Sequence, residues 1–162
     1  MATSAKDYFR TNMEILRYML RKGPAGIYVT INKPANSIKA YLSKNRLSSD
    51  KLYFGDCVSK LINETAKRDE NVVFVDPQDL TGIALAVNEM ISSIKGEKFL
   101  FLDSLSTLLI YNSTGSVEKF SHFITTKIRI LNLKGVILTL EEDMNSQPAN
   151  LLNKICDKVI RV

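Results

Sequence analysis

The chain lacks tryptophan, has one histidine and two cysteines, and spreads its seven glycines thinly over 162 residues. Each scarcity excludes something. Cys57 and Cys156 lie far apart and match no metal-ligand or redox spacing, so neither a zinc module nor a disulfide framework is expected. Two reduced thiols packed in a core are the simpler account. His122, beside Phe120 and Phe123, lacks the second histidine or neighbouring cysteine of a transition-metal site, which leaves it a structural place on a helix. No stretch approaches the roughly 18 apolar residues of a membrane span. The opening MATSAKDYFRTNMEILRYML carries Asp7 and Glu14 and has no apolar core of a secretion signal, so a cytoplasmic protein is expected. None of Gly23, Gly26, Gly55, Gly82, Gly96, Gly115 and Gly135 is followed by Lys and then Ser or Thr, the ending of a phosphate-binding loop. No G-x-G-x-x-G follows a strand, and no G-x-S-x-G elbow frames Ser104 as a hydrolase nucleophile.

What is present reads as one domain over residues 1–162. Apolar residues are 45% and charged residues 24%, ordinary for a soluble globular chain. The net charge of +5 is uneven. Residues 1–51 hold ten Lys/Arg against three Asp/Glu, and residues 52–162 hold twelve against fourteen. A basic front half would attract nucleic acid or an acidic partner. These cations alternate with apolar residues at helical spacing, however, which favours a solvated helix face.

Phe9, Met13, Leu16 and Leu20 recur at helical spacing, and Gly23-Pro24 stops that helix. GIYVTI (26–31) is a buried strand by composition. NSIKAYLSKN (36–45) is a helix with Asn36 or Ser37 as cap and Ile38, Tyr41 and Leu42 inward. LYFG (52–55) is a short strand ending at Asp56. CVSKLINETAKRD is expected to be helical with Val58, Leu61 and Ile62 inward. VVFVD (72–76) is a short strand, and Asp79 caps a helix whose stripe is Ile83, Val87, Met90, Ile91 and Ile94. FLFLD (99–103) is the most apolar strand, and YNSTGS (111–116) is a loop. Ser116 is taken as the cap of a helix with Val117, Phe120, Ile124, Ile128 and Leu131 inward, ending at Gly135. GVILTL (135–140) is a strand, followed by a polar stretch, a helix starting at Ser146 with Pro148 in its first turn, and a last strand KVIRV. Loop 111–116 and stretch 141–150 are the expected mobile parts. Continuously apolar strands alternating with helices make a three-layer α/β/α fold with a mainly parallel central sheet.

In such sheets ligands bind beyond the carboxyl ends of the strands. The residues there are Thr30 to Lys33, Asp56, Asp103 with Ser104, and Glu141, Glu142 and Asp143. Gathered carboxylates would bind Mg²⁺ through oxygen and raise one another's pKa, as a general acid or base requires. Acidic residues also stand at strand ends simply to cap the next helix, and that is the plainer expectation. Tyr28, Tyr41, Tyr53 and Phe54 would stack on bases if exposed. Tyr28 and Phe54 lie in strands, and a core position suits them better.

FLFLDSLSTLLIYN resembles the Walker B strand of RecA-like ATPases, above all the KaiC-like branch widespread in archaea. GIYVTINKP resembles the strand after that family's P-loop helix, KLYFGDCVS the next short strand, and SVEKFSHFITTKIRILNLKGVILTLEE the helix and strand after Walker B. Together they cover about three quarters of the chain, and the Asp-Ser stretch is the distinctive one. The resemblance implies a RecA-like core and places Asp103 and Ser104 at a Walker B position, a vestigial cofactor site. It also marks departures. The phosphate-binding loop and its strand have no counterpart, since the N-terminal helix aligns with the one after the loop. Asn32 and Lys33 stand where the family has its catalytic glutamate. Phosphoryl transfer depends on phosphate cradling and the Mg²⁺ clamp, which a lone Asp cannot replace.

The first expectation is therefore a RecA-like domain without the P-loop strand, with no catalytic residue, metal or cofactor. It would work as an assembly or regulatory module binding a protein partner, either itself or an intact RecA-like ATPase. The missing strand leaves a gap that the sheet closes, or that residues 1–8 or a partner fill. The alternatives are a Mg²⁺-dependent nucleotide or phosphoryl-transfer enzyme using Asp56, Asp103 and Glu141 or Glu142, and a nucleic-acid module using Lys33, Lys39, Lys44, Arg46 and Lys51.

Overall fold

The computed structural model of the protein describes residues 2–3, 7–21, 23–62 and 70–161. In chain order the elements are β1 (Ala2–Thr3), α1 (Tyr8–Arg21), β2 (Ala25–Thr30), α2 (Ala35–Lys44), β3 (Leu52–Asp56), α3 (Ser59–Ile62) and β4 (Val72–Phe74). There follow α4 (Leu80–Ser93), β5 (Lys98–Asp103), α5 (Leu105–Tyr111), α6 (Thr114–Ile130), β6 (Lys134–Ile137), β7 (Thr139–Leu140) and α7 (Gln147–Ile155). A 3-10 turn at Glu141–Asp143 leads into α7. Five strands form one parallel sheet in the order β4-β3-β2-β5-β6. β1 pairs in parallel with β7.

The sheet is buried on both faces, and its period of two sorts the side chains by shape. Tyr28, Phe54, Phe99 and Phe101 pack with Met13 and Leu16 of α1 and with Ile38 and Leu42 of α2. Ile27, Val29, Leu100 and Leu102 pack on the other face with α4, α5, α6 and α7. Helices thus cover both faces, as continuously apolar strands require. Gly26 makes room for this packing, because a Cβ there would stand 2.3 Å from Cζ of Phe99, its register partner on β5. Gly23, at φ +91°, turns the chain from α1 into β2 in a conformation costly for any other residue.

The structure departs from the sequence reading at identifiable points. On α1 the buried positions are Asn12, Met13, Leu16 and Met19, with Phe9 and Leu20 only half-buried. α2 begins after Pro34 without a side-chain cap of its own; the Ala35 amide donates instead to Asp56 Oδ2 at 2.8 Å. Leu61, expected inward, is exposed, the Ile62 side chain lies outside the described residues, and so does the expected helix over 63–69. The run after Asp103 is a helix, α5, too short to display a 3.6-residue period. It reduces the expected loop 111–116 to a break at Asn112 and Ser113, and Ser113 rather than Ser116 caps α6. Leu131 falls past the end of α6 and is exposed.

The expected strand 135–140 is interrupted at Leu138. Its amide donates to Leu102 O at 3.0 Å and its carbonyl accepts from the Leu105 amide at 2.8 Å, where β5 turns into α5. Of the expected last strand KVIRV, Lys158–Ile160 have no ladder, Arg161 makes an isolated bridge, and Val162 lies outside the described residues. An extended segment becomes a strand only beside a partner backbone. The cap of α4 by Asp79, which accepts from the Gly82 amide at 2.8 Å, and of α7 by Ser146 are as expected. Of the residues 1–8 considered as a filling for the missing strand, Ala2 and Thr3 form a short parallel ladder with Thr139 and Leu140.

Candidate functional site

Register brings the two carboxylates singled out in the sequence to one edge of the sheet. Thr30 at the end of β2 pairs with Asp56 of β3 on one side and Asp103 of β5 on the other. Two strand spacings, about 10 Å, therefore separate the aspartate backbones, and their side chains do different things.

Asp103 is 3% exposed. Its Oδ2 accepts from Asn12 Nδ2 at 2.5 Å and from the Tyr28 hydroxyl at 2.6 Å. Its Oδ1 accepts from Asn32 Nδ2 at 2.9 Å and from the Tyr8 hydroxyl. A carboxylate offers about four lone-pair positions, and four side-chain donors fill them. α1 supplies two of these donors from one face, because Tyr8 and Asn12 are one turn apart. β2 supplies Tyr28, whose ring stacks on Phe101 at a centroid distance of 4.9 Å and an interplanar angle of 10°. The segment after β2 supplies Asn32. The backbone joins in, with the Ile31 amide donating to Asp103 O at 2.7 Å. The Asp103–Ser104 peptide bond is cis.

Around this centre a second ring of polar contacts reaches the surface. Thr107 Oγ1 donates to Asn32 Oδ1, and the Ser104 hydroxyl lies 2.9 Å from Thr107 Oγ1. The Thr107 amide also donates to Ser104 Oγ at 3.3 Å, which caps α5. Ser104 is thus a helix cap, and Asn32 bridges it to Asp103. Burial first, and the Asp103 charge second, hold the Tyr8 and Tyr28 hydroxyls well above the ordinary tyrosine value. Both stay protonated and keep donating at any physiological pH.

Asp56 is as deeply buried, at 1% exposure. Its Oδ1 accepts from the Val58 and Ser59 amides, each at 2.9 Å. Its Oδ2 accepts from the Ala35 amide and the Ser59 hydroxyl, each at 2.8 Å. It closes the start of α3 and of α2 at once, a structural task that also fills its lone pairs. Burial first, then the Asp56 charge, pushes the neighbouring Cys57 thiol up, so it stays a neutral core group. Glu141 and Glu142 are exposed on the 3-10 turn past β7 and join neither aspartate in a ligand set. Among the described residues no group of three or more His, Cys, Asp or Glu side chains is placed to hold a metal ion.

The basic residues singled out in the front half do not all share a face. Lys33 follows β2 at the carboxyl edge, its Nζ 4.8 Å from the Phe9 ring centroid. Lys51 precedes β3 at the opposite edge and donates to Gly23 O at 3.2 Å. Tyr28 and Phe54 are fully buried, while Tyr41 and Tyr53 are half-buried. His122 is exposed on α6.

Sequence reasoning found Asp103, Ser104 and Asp56 and put Asn32 at the same edge, but missed that Tyr8, Asn12 and Tyr28 donate to Asp103. Of these three, Asn12 carried a signal: a polar side chain on the apolar face of α1, between Phe9 and Met13.

The sheet and its flanking helices define a three-layer α/β domain with a five-stranded parallel sheet. Among solved structures it is similar to a KaiC-like protein from the hyperthermophilic archaeon Pyrococcus horikoshii, with a TM-score of 0.63 at 11% identity, over 87% of this chain and 60% of that one. The chain thus spans about three fifths of that relative. Within this class it belongs to a family of unknown function, DUF7504, which residues 14–162 match. No curated protein matches it.

Proposed function

We propose that this protein is a non-catalytic RecA-like domain that acts by binding another protein, as an assembly or regulatory module. The observation that carries this reading is the saturation of Asp103. With Tyr8, Asn12, Tyr28 and Asn32 donating to both carboxylate oxygens, the side chain at the Walker B position is committed to tying α1, β2 and β5 together. A metal ion there would have to displace these donors, of which Asn12 and Tyr28 are buried and would each cost about 1–3 kcal/mol if left unpaired. Asp103 and Ser104 keep the place of a nucleotide site and serve as a structural tie and a helix cap.

Calorimetric titration with ATP and Mg²⁺ tests the reading. No saturable binding into the millimolar range is expected. Micromolar binding that Asp103→Asn abolishes would overturn the reading in favour of nucleotide chemistry at this edge.

A further inference from the structure

The sheet separates two helix layers that differ in charge. α1 and α2 cover the face that carries Tyr28, Phe54 and Phe101, and α4, α5, α6 and α7 cover the other. From residue 15 to residue 49 the sequence holds seven Lys/Arg and no Asp/Glu. In the first layer α1 carries Arg10, Arg17 and Arg21 against Glu14, and α2 carries Lys39 and Lys44 with no acid. The opposite layer is closer to balance, with Lys119, Lys127, Arg129 and Lys154 against Glu89 and Glu118. There, Lys127 donates to Asn88 Oδ1, and Arg129 donates to Ile155 O and lies 3.6 Å from Asp157.

The first layer leaves more of its charge unspent. Arg21, Lys44 and Arg46 are exposed, and none of the three makes an ion pair among the described residues. Arg17 is half-buried, and its Nε meets no acceptor there. Both helices start at the carboxyl edge, where Tyr8 meets Asp103 and Ala35 meets Asp56, so they run side by side toward the amino edge. The edge-to-face contact of Phe9 with Tyr41, at a centroid distance of 5.1 Å, joins them. At about 100° per residue, Arg10, Glu14, Arg17 and Arg21 make one stripe along α1, within about 60° of one another. Lys44 follows Tyr41 by three residues, on the side of α2 that meets α1.

We propose that the outer side of the α1–α2 layer is a docking surface for a partner protein that presents an acidic helix. The proposal rests on the reading of the domain as a protein-binding module and names the surface and the chemistry of what it binds. Carboxylates at positions i, i+7 and i+11 of a partner helix match the spacing of Arg10, Arg17 and Arg21, and a guanidinium binds a carboxylate through a two-pronged fork. Lys44 extends the same potential onto α2. Glu14 selects protein over nucleic acid. Standing inside the arginine stripe, it repels a phosphate backbone, whereas a helix can set a Lys against it.

The probe is a synthetic helical peptide of about 20 residues with Glu at i, i+7 and i+11 and Lys at i+4. Titration into ¹⁵N-labelled protein at about 50 mM salt is expected to saturate with a Kd below roughly 100 μM. It should shift amides of α1 and α2, and weaken several-fold at about 300 mM salt. The double variant Arg21→Glu, Lys44→Glu is expected to bind at least tenfold more weakly. Lys154→Glu, at an exposed position in the opposite layer, is expected to leave binding unchanged. Thermal melts confirm that the variants fold. A DNA duplex of about 20 base pairs, titrated in parallel, should bind more weakly than the peptide. Absence of saturation, shifts confined to the opposite layer, or indifference to the double variant would each overturn the docking surface. Tighter binding of the duplex, strengthened by Glu14→Lys, would overturn it in favour of a nucleic-acid surface. None of these outcomes touches the non-catalytic reading, which stands or falls on the nucleotide titration.

Discussion

The carboxyl edge of the sheet and the outer side of the α1–α2 layer are both places where this fold could meet a ligand, and they are built oppositely. At the carboxyl edge two buried aspartates spend every lone pair on partners within the chain. On the helix layer, Arg21, Lys44 and Arg46 are exposed and make no ion pair among the described residues. The first region has charge and no spare valence. The second has charge that the described residues do not neutralise. Residues that look most like chemistry are thus the most completely absorbed into structure, and cations that read as an ordinary solvated face leave the opening.

The largest effect is expected from breaking the saturated edge. Asp103→Ala would leave four donors without their acceptor in a buried site, a loss of about 4 kcal/mol and ~10 °C in Tm for a chain of this size, measured by chemical and thermal denaturation. A loss below about 1 kcal/mol would mean that the network is loose and the carboxylate available. Asp56→Ala comes next. Three backbone amides lose their acceptor, so α2 and α3 should fray at about 2 kcal/mol, visible as faster hydrogen exchange at Ala35, Val58 and Ser59.

Tyr8→Phe removes one donor and should cost about 1 kcal/mol near neutral pH. It also probes the alkaline limit. The folded state holds the Tyr8 and Tyr28 protons to higher pH than the unfolded state, whose tyrosines titrate near 10. Above that pH the unfolded chain releases protons that the folded chain keeps, so stability is complete below about pH 10 and falls as pH rises beyond it. The fall should be shallower in Tyr8→Phe than in the wild type. Equal slopes would separate the tyrosine from the network. The smallest effect belongs to the helix layer, where Lys44→Gln should shift stability by less than about 0.5 kcal/mol. A larger loss would show that this cation is a working part of the fold rather than a surface charge open to a partner.

Much of the architecture was legible because its signals are local. Each strand of the parallel sheet shows as an apolar run, and Gly23-Pro24, Asp79 and Ser146-Gln147-Pro148 mark helix ends through contacts within a turn. Legibility failed where a residue's role depends on something distant. The cap of α2 comes from Asp56, 21 positions away. KVIRV has strand composition, but Lys158–Ile160 have no ladder partner, and a strand needs one over several residues. The short apolar run of α5 does not show its period, and its cap Ser104 looked like the tail of a motif.

By itself, the sequence determined an α/β domain of alternating apolar strands and amphipathic helices, and an Asp-Ser strand end without a phosphate loop. Those properties follow from residue type and short-range periodicity. Only the tertiary structure decided what Asp103 does, because its four donors lie 95, 91, 75 and 71 positions away along the chain. Only it decided that α1 and α2, with their cations, lie together on one side of the sheet. A lone pair is filled, and a charge left unpaired, by whichever groups the folded backbone brings within about 3 Å, and no local pattern records that.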